Sequence, residues 1–526
     1  MRRWLDCVAG GLALVLALPL AGGAAESALD PDEVSEFVEF QVGKHAVPGV
    51  AVAMFEDGRV SYLAGFGEAA DGRPVTPDTP FVLGSVSKSI TAVAVLQLFE
   101  RDLIDLDAPV RTYLPGFVVA DEAASATITV RHLLHHTSGL SELGYNRVLD
   151  RGTSLEQAVA DLEHARPTAP VGSRFQYFNQ GYSVLALLIE VVSGQGYSDY
   201  VTEHIFEPLR MTSSFSDRDQ AEAAGLAQGH TKVFGFPVAR NLPFTEFALG
   251  YGHLISTARD LSRFALAMSG DGSYDGATIL SPDSVALMRT APAGVTDTDY
   301  GLGWFVWESN GIAKEGHSGG QETFMTSLTL LPDHQSGFIW LMNQEHFLDP
   351  VRGQLDAGLT QLLLGEDPSR AGMSMRWLGL GMLAAVLVGL AISIRSAVKL
   401  REWRERSRGL STGAIVRKIA PHVIVPALIL WVVYRYLGPV VLGAPTAWNF
   451  RYVGAYYFPE VAMLLILATF PDLMQATYMT GTVVVDRLTR STSAGGHDTG
   501  ASPEQPGAAA SESPSNMATA GTPRES

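Results

Sequence analysis

Apolar residues recur along this chain with two different periods, and where each period holds decides which element is expected. Residues 30–42 show helical spacing behind a capping aspartate, which predicts an amphipathic helix. Residues 49–55 and 59–66 are rich in β-formers and are joined around Asp57-Gly58, the signature of a β-hairpin. Helical patterns fill the middle of the chain at 87–99, 182–192 and 258–268, the last behind Ser256-Thr257. Strand patterns return at 303–308, 311–315, 323–331 and 337–342, and a helix follows at 350–364. Two early strands and a late strand cluster around a helical middle predict an α+β domain. Its expected architecture is one mainly antiparallel sheet flanked by helices, with a helical insertion.

Hydropathy sets the organisation outside that domain. Arg2 and Arg3 precede an apolar run at 8–20 and small residues at 21–25, so residues 1–25 read as a signal peptide, or as an anchor if left uncleaved. The globular domain is assigned to 26–370 and a membrane region to 371–490. Within that region about three transmembrane helices are expected at 377–394, 422–442 and 452–470. The loop between the first two carries Arg395, Lys399, Arg401, Arg404, Arg406, Arg408, Arg417 and Lys418 against Glu402 and Glu405. Such a loop stays cytoplasmic, so the first span runs outside to inside and the domain before it is extracytoplasmic in a multi-pass protein of the cell membrane. The same loop disfavours the rival reading, a buried helical bundle within a soluble domain. Arg435 and Glu460 fall inside the second and third spans, where they are expected to pair or to snorkel. Residues 491–526 are Ser, Ala, Gly, Thr and Pro with almost no large apolar side chain, a composition that predicts disorder.

The formal net charge of −18 argues against a nucleic-acid partner, for which a basic face is expected. Cys7 is the one cysteine and lies in the signal segment, which leaves the rest without a disulfide, a thiol nucleophile or a thiolate metal site.

Three short segments carry candidate chemistry. Ser85-Val-Ser-Lys88 sets a hydroxyl and an amine three residues apart at the start of an apolar helix, where both share one face and the hydroxyl meets unpaired N–H groups. That suits a nucleophile whose proton passes to a neighbouring amine. Ser396-Ala-Val-Lys399 repeats the spacing without catalytic companions. Tyr177-Phe-Asn179 lies in a polar turn entering an apolar helix; a lysine ammonium nearby favours the phenolate, and Asn179 offers an amide donor and acceptor. His317-Ser-Gly-Gly320 lies between late strands, with small residues that allow a substrate backbone along a strand edge. Gly316-His-Ser-Gly-Gly320 also matches a nucleophile elbow on Ser318, followed by Asp333 and His346. About 30 residues from Ser318 to His346 are too few for the strand–helix units that such a sheet needs. His132, His135 and His136 lack metal-ligand spacing, and no cofactor or metal is expected.

Taken together and in this order, Ser85-x-x-Lys88, Tyr177-x-Asn179 and His317-x-Gly319 resemble the three motifs of the serine β-lactamase and penicillin-binding-protein superfamily. The resemblance is to its class C-like branch, which includes D-alanyl-D-alanine carboxypeptidases, D-aminopeptidases and esterases. Flanking phrases agree, among them Thr129-Val-Arg-His-Leu-Leu-His-His-Thr-Ser-Gly-Leu140, and the likeness spans roughly residues 30–365. It implies Ser85 as the acylated nucleophile, Lys88 as its amine partner, Tyr177 as general base and later acid, and Asn179 as the group orienting Lys88 and substrate. It further implies an oxyanion hole from the N–H groups of Ser85 and Gly320, beside Gly319. His317 stands where many relatives have lysine. Histidine there occurs in carboxypeptidase- and esterase-like members, and lysine is usual in class C β-lactamases. The function implied is a membrane-anchored serine hydrolase acting on esters or on small or peptidoglycan-derived D-amino-acid peptides. A β-lactamase and a non-catalytic penicillin-binding sensor remain as alternatives.

Overall fold

The Asp57-Gly58 turn forms as its sequence demands, with φ of 49° and 74°, the left-handed pair of a two-residue hairpin. It joins strands β1 (Gly49–Glu56) and β2 (Arg59–Ala70). A computed structural model describes residues 29–433 and 459–494, apart from 146, 148, 242, 243 and 347. The expected signal peptide, the tail beyond 494, Arg435, and residues 434–442 and 452–458 of the second and third spans lie outside the described residues.

The hairpin belongs to a seven-stranded antiparallel sheet in the order β6-β7-β8-β9-β1-β2-β3. Here β3 is Arg73–Pro74, β6 Phe305–Ser309, β7 Ile312–Gln321, β8 Phe324–Leu331 and β9 Ser336–Met342. Strand β7 departs from expectation: it continues through His317, Gly319 and Gly320, so these residues sit on a strand and not between strands. That also removes the elbow reading of Ser318, which needs a strand-to-helix turn.

Alternation along β1 shows why the central strands read as continuous apolar runs. Val50, Val52 and Met54 face one core with Phe338, Trp340 and Met342, while Ala51, Ala53 and Phe55 face the other with Ile339 and Leu341. The first core is covered by α1 (Pro31–His45) and α5 (Val351–Leu363), through Val34, Phe37, Leu355 and Leu359. The second holds α2 (Ser87–Glu100), α3 (Gln180–Ser193) and α4 (Ala258–Ser269). Helix α2 is buried on every side from Ser87 to Leu98, so its N-terminus is fixed from all directions.

A smaller sheet orders β10 (Gln344–Glu345), β4 (His230–Val233) and β5 (Phe236–Ala239). It is locked to α1 and α5 by a buried ion cluster. Asp349 accepts from Lys232, from His45 Nδ1 at 3.0 Å and from the Val351 N–H at 3.1 Å, and the Lys232 and His45 side chains are fully buried.

Contact clustering divides the chain into two units, Met1–Ile392 with Leu428–Thr469, and Ser393–Ala427 with Phe470–Ser526. Among the described residues, three helical stretches are long and apolar enough to cross a membrane: Met375–Leu400, Thr412–Val432 and Glu460–Ser491. In the first unit, Glu460 accepts from the Phe234 N–H and from His346 Nε2 at 3.2 Å, which gives it a partner on the globular domain. In the second, Trp403, Ile415 and Met479 form a small cluster, and Arg404 and Arg408 both bond Asp486.

Removing the Asp349 carboxylate strands a buried cation. Asp349→Ala should destabilise the domain by about 3–5 kcal/mol. Urea unfolding of the detergent-solubilised chain, followed by tryptophan emission, should show a clearly lower midpoint; an unchanged midpoint would mean the cluster contributes nothing net.

Candidate active site

Ser85 sits on a single 3-10 turn, Gly84–Val86, that runs directly into α2. Gly84 has φ of 55°, and a Cβ there would lie 2.7 Å from the Gly320 amide nitrogen. Gly319 answers it from β7: its Cβ would strike the Leu83 carbonyl and come within 3.1 Å of the Ser85 nitrogen. Glycine at both positions lets the Ser85 turn and the strand meet backbone to backbone. The β6 ladder ends at Phe305↔Gly316, so the strand from His317 onward has β8 on one side and this turn near the other. Ser85 is half-buried and Gly320 exposed, which leaves the gap open to solvent.

One turn along α2, Lys88 is wholly buried (0% exposed). Its Nζ lies 3.1 Å from Ser85 Oγ, 2.8 Å from Asn179 Oδ1 and 2.8 Å from the Tyr251 carbonyl oxygen. Burial holds the amine well below the ordinary lysine value of 10.5, and the Glu142 carboxylate draws it partly back.

Tyr177 and Asn179 precede α3. The Tyr177 hydroxyl bonds Ser85, and Lys88 Nζ lies 4.8 Å from the centre of its ring. Removal from water pushes this phenol up, against the pull of Ser85, so the hydroxyl stays protonated. The local electrostatics therefore oppose the phenolate expected from the sequence, because Lys88 is itself driven toward neutrality. Glu142 Oε1 accepts from Asn179 Nδ2 at 3.0 Å and from its backbone N–H at 3.1 Å. This fixes the amide with its oxygen toward Lys88. Burial raises the Glu142 carboxyl, and the two bonds from Asn179 oppose that.

His317 faces the same cluster. Its Nδ1 donates to the Ser318 carbonyl at 2.7 Å, which leaves Nε2 to accept from the Tyr300 hydroxyl at 3.1 Å. Burial, reinforced by Lys88, pushes the imidazole down to about 3, so it is neutral at ordinary pH. The His136 ring stacks on Tyr177 with centroids 4.2 Å apart and also packs against Tyr300. His132 instead completes a capping box with Thr129, and His135 bonds the carbonyls of Tyr300 and Gly301. The three histidines thus have three separate structural duties.

The structure brings Ser85, Lys88, Tyr177 and Asn179 into direct contact, sets His317 within electrostatic reach of Lys88, and lays Gly319 and Gly320 against the Ser85 turn. Sequence inspection missed Glu142, Tyr251 and Tyr300. Glu142 stands two residues beyond the Thr-Ser-Gly-Leu140 phrase, and Tyr300 opens a Tyr-Gly-Leu-Gly-Trp304 run whose small residues mark a close approach. Tyr251 contributes a backbone carbonyl, for which no side-chain signal exists. Ser396 and Lys399 lie on the apolar helix Met375–Leu400.

Beneath the strand, Arg352 Nη2 donates to the Gly319 carbonyl at 3.3 Å, and a Cβ on Gly320 would sit 3.4 Å from both Arg352 Nη2 and Glu345 Oε2. Burial pushes Glu345 up to about 8 and Glu322, at the strand's end, up to about 7.

Residues 33–361 match the Beta-lactamase family. Penicillin-binding protein 4 of Amycolatopsis lactamdurans is 36% identical over 301 residues, covering 54% of this chain and 78% of that protein. Unguisins hydrolase ungD' of Aspergillus campestris is 29% identical over 325 residues; the match covers 58% of this chain and 60% of the fungal protein. Penicillin-binding protein 4* of Bacillus subtilis is 28% identical over 323 residues, covering 57% and 69%. Among solved structures, the octameric penicillin-binding protein homologue from Pyrococcus abyssi aligns with a TM-score of 0.56 at 27% identity, over 65% of this chain and 79% of that one. SurE aligns with a TM-score of 0.54 at the same identity, over 65% and 78%. With a matching span that contains every residue of the cluster, this chain belongs to the Beta-lactamase family of serine hydrolases.

Proposed function

We propose that this chain is a membrane-anchored hydrolase that opens ester or amide bonds through an acyl-enzyme on Ser85, with D-amino-acid peptides or esters as substrates. One observation carries the reading: the hydrogen-bond pattern around the buried Lys88 amine. Asn179 Oδ1 and the Tyr251 carbonyl can only accept, and at 2.8 Å each they bind two N–H groups of the amine. In the neutral form, which burial favours, the remaining lone pair is left for Ser85 Oγ, 3.1 Å away.

In this scheme the Ser85 hydroxyl proton passes to Lys88 as Oγ attacks the substrate carbonyl. The N–H groups of Ser85 and Gly320 receive the developing oxyanion. Tyr177, protonated at rest, gives its proton to the leaving oxygen or nitrogen and recovers one from the Lys88 ammonium. Water then attacks the acyl-enzyme by the reverse relay. Asn179 is a positioning residue toward Lys88 as well as a substrate contact, and Glu142 positions Asn179. His317, being neutral, offers hydrogen bonding and no fixed charge for a substrate carboxylate. Esters and N-acyl substrates lacking a carboxylate at that point therefore suit the cleft as well as D-Ala-D-Ala peptides do. The penicillin-binding and hydrolase names of the relatives agree with this range.

Membrane anchoring is supported by the helix Met375–Leu400, whose 26 residues carry exposed apolar side chains such as Leu387 and Ile392. At 1.5 Å per residue it spans about 39 Å, more than a hydrocarbon core of about 30 Å. The basic loop after it supports a cytoplasmic side there and an extracytoplasmic site.

Ser85→Ala should abolish turnover of p-nitrophenyl esters and of D-Ala-D-Ala peptides, and remove the acyl adduct seen by intact mass. Lys88→Ala and Tyr177→Phe should each lower kcat by about 10²–10⁴-fold. Full activity in Ser85→Ala would refute the assignment. A lasting penicillin adduct with no turnover of any ester or amide would leave a sensor in place of an enzyme.

The acid limb of kcat/KM reports loss of the Lys88 proton, because only the neutral amine serves as base. Activity should therefore rise with pH and level off well below 10.5, in keeping with the depressed amine. Glu142→Gln keeps an acceptor for Asn179 but deletes the charge that raises Lys88. The amine then loses its proton more readily, and the limb should move to lower pH. A limb that stays in place or moves upward would show that Glu142 does not act on Lys88.

A further inference from the structure

The hairpin β4–β5 has a turn that its own chemistry does not explain. Val233↔Phe236 is its last pair, which leaves Phe234 at φ 52° and Gly235 at φ 82°. Asparagine or aspartate usually fills the first of these positions, and a bulky aromatic at positive φ is strained. The strand that follows, Phe236-Pro-Val-Ala239, is apolar throughout and lies at the edge of its sheet, with Phe236 47% and Val238 41% exposed. Such an edge in water invites aggregation. Pro237 makes it a poor template for a further protein strand, since it has no N–H to offer.

Two of the apolar helices, Met375–Leu400 and the one opening at Glu460, meet the same tip. A Cβ on Gly235 would come within 2.8 Å of Arg376 Cα, and one on Gly379 would strike the Phe234 backbone. Glu460, opening the third apolar helix, accepts from the Phe234 N–H. The entry to the first helix is also clamped. Ser374 Oγ donates to the Lys44 carbonyl at 2.6 Å, Lys44 Nζ donates to the carbonyls of Arg370 and Ala371, and Gln354 Nε2 donates to the Met373 carbonyl at 3.2 Å. Trp377, 75% exposed just inside the first helix, is of the type enriched at membrane interfaces.

We infer that the outer edge of this hairpin, Phe236 and Val238 with the Phe234 tip, lies in the interfacial zone of a phospholipid bilayer, so that the catalytic domain is docked on the lipid surface and not merely tethered above it. The inference rests on the membrane reading given above. The apolar edge is continuous with helices that can cross the bilayer, and lipid needs no backbone partner from Pro237. Strand β4 pairs with β10, and Glu345 of β10 lies under Gly320. From the lipid-facing edge to β10 is two strand spacings, about 10 Å. The cleft is then held near the headgroup layer, where amphiphilic or lipid-linked esters and peptides are presented.

The test uses the full chain in phospholipid nanodiscs, in a Cys7→Ser background, with one cysteine at a time carrying a nitrobenzoxadiazole label. Phe236→Cys reports on the hairpin, Leu387→Cys on the first apolar helix, and Leu103→Cys on an exposed turn of the globular domain. Acyl-chain spin-labelled phospholipid should quench labels 236 and 387, and aqueous iodide should quench label 103 alone, with ester turnover retained in all three. Iodide quenching at 236 equal to that at 103, with 387 still quenched by lipid, would overturn the docking while leaving the membrane anchor intact. Loss of lipid quenching at both 236 and 387 would overturn the anchor and the docking together.

Discussion

The site depends on taking one lysine amine out of water. In the first turn of a helix buried on all sides, Lys88 is denied solvent, and the charged form of such a group is penalised by several kcal/mol. The penalty favours the neutral amine, the form that the proposed transfer of a proton from Ser85 requires. It also demands that each N–H find a fixed acceptor, and the fold supplies them from far along the chain, at Asn179 and Tyr251. Glu142 then has two opposed effects. It orients Asn179, and its charge draws Lys88 partly back toward the ammonium. The balance between burial and this one carboxylate sets where the amine titrates.

Much of the scaffold was legible because its elements carry strong local signals. The Asp57-Gly58 turn, the alternation of the late strands and the capped helices at 31–45 and 258–269 all follow their patterns. The main departure is instructive. Strand pattern alone ends β7 at residue 315, because Gly316 to Gly320 reads as turn composition. The glycines are there for a tertiary reason, the close approach of Leu83 and Ser85, which no local rule encodes.

Within the site, the residues that carry their own chemistry were legible, and those that act by placing others were not. Ser85, Lys88, Tyr177 and Asn179 sit in short motifs; Glu142, Tyr300 and the Tyr251 carbonyl matter only through where the chain folds. Electrostatics were the least legible part. A tyrosine beside a lysine suggests a phenolate, but the same burial that lowers Lys88 keeps the Tyr177 proton in place. Likewise His317 stands where many relatives have lysine, but its burial against Tyr300 and Phe305 leaves it neutral.

Successive residues of a strand point to opposite faces, and β7 uses that rule where the two halves of the domain meet. Gly319 faces the Ser85 turn so closely that no side chain fits. Gly320, one residue on, faces Arg352 and Glu345 at ordinary contact distance. The strand end is thus gripped from above by the Ser85 turn and from below by the start of α5, the helix that also anchors the entry to the first apolar helix through Gln354. Glu345 and Glu322 are both raised by burial, so near neutral pH the pair holds at least part of a proton, and the like charges under the strand are eased. Arg352 is then left to hold the Gly319 carbonyl in place. The backbone proposed to receive the oxyanion is in this way positioned from the face of the sheet opposite the Ser85 turn, by Arg352 and Glu345.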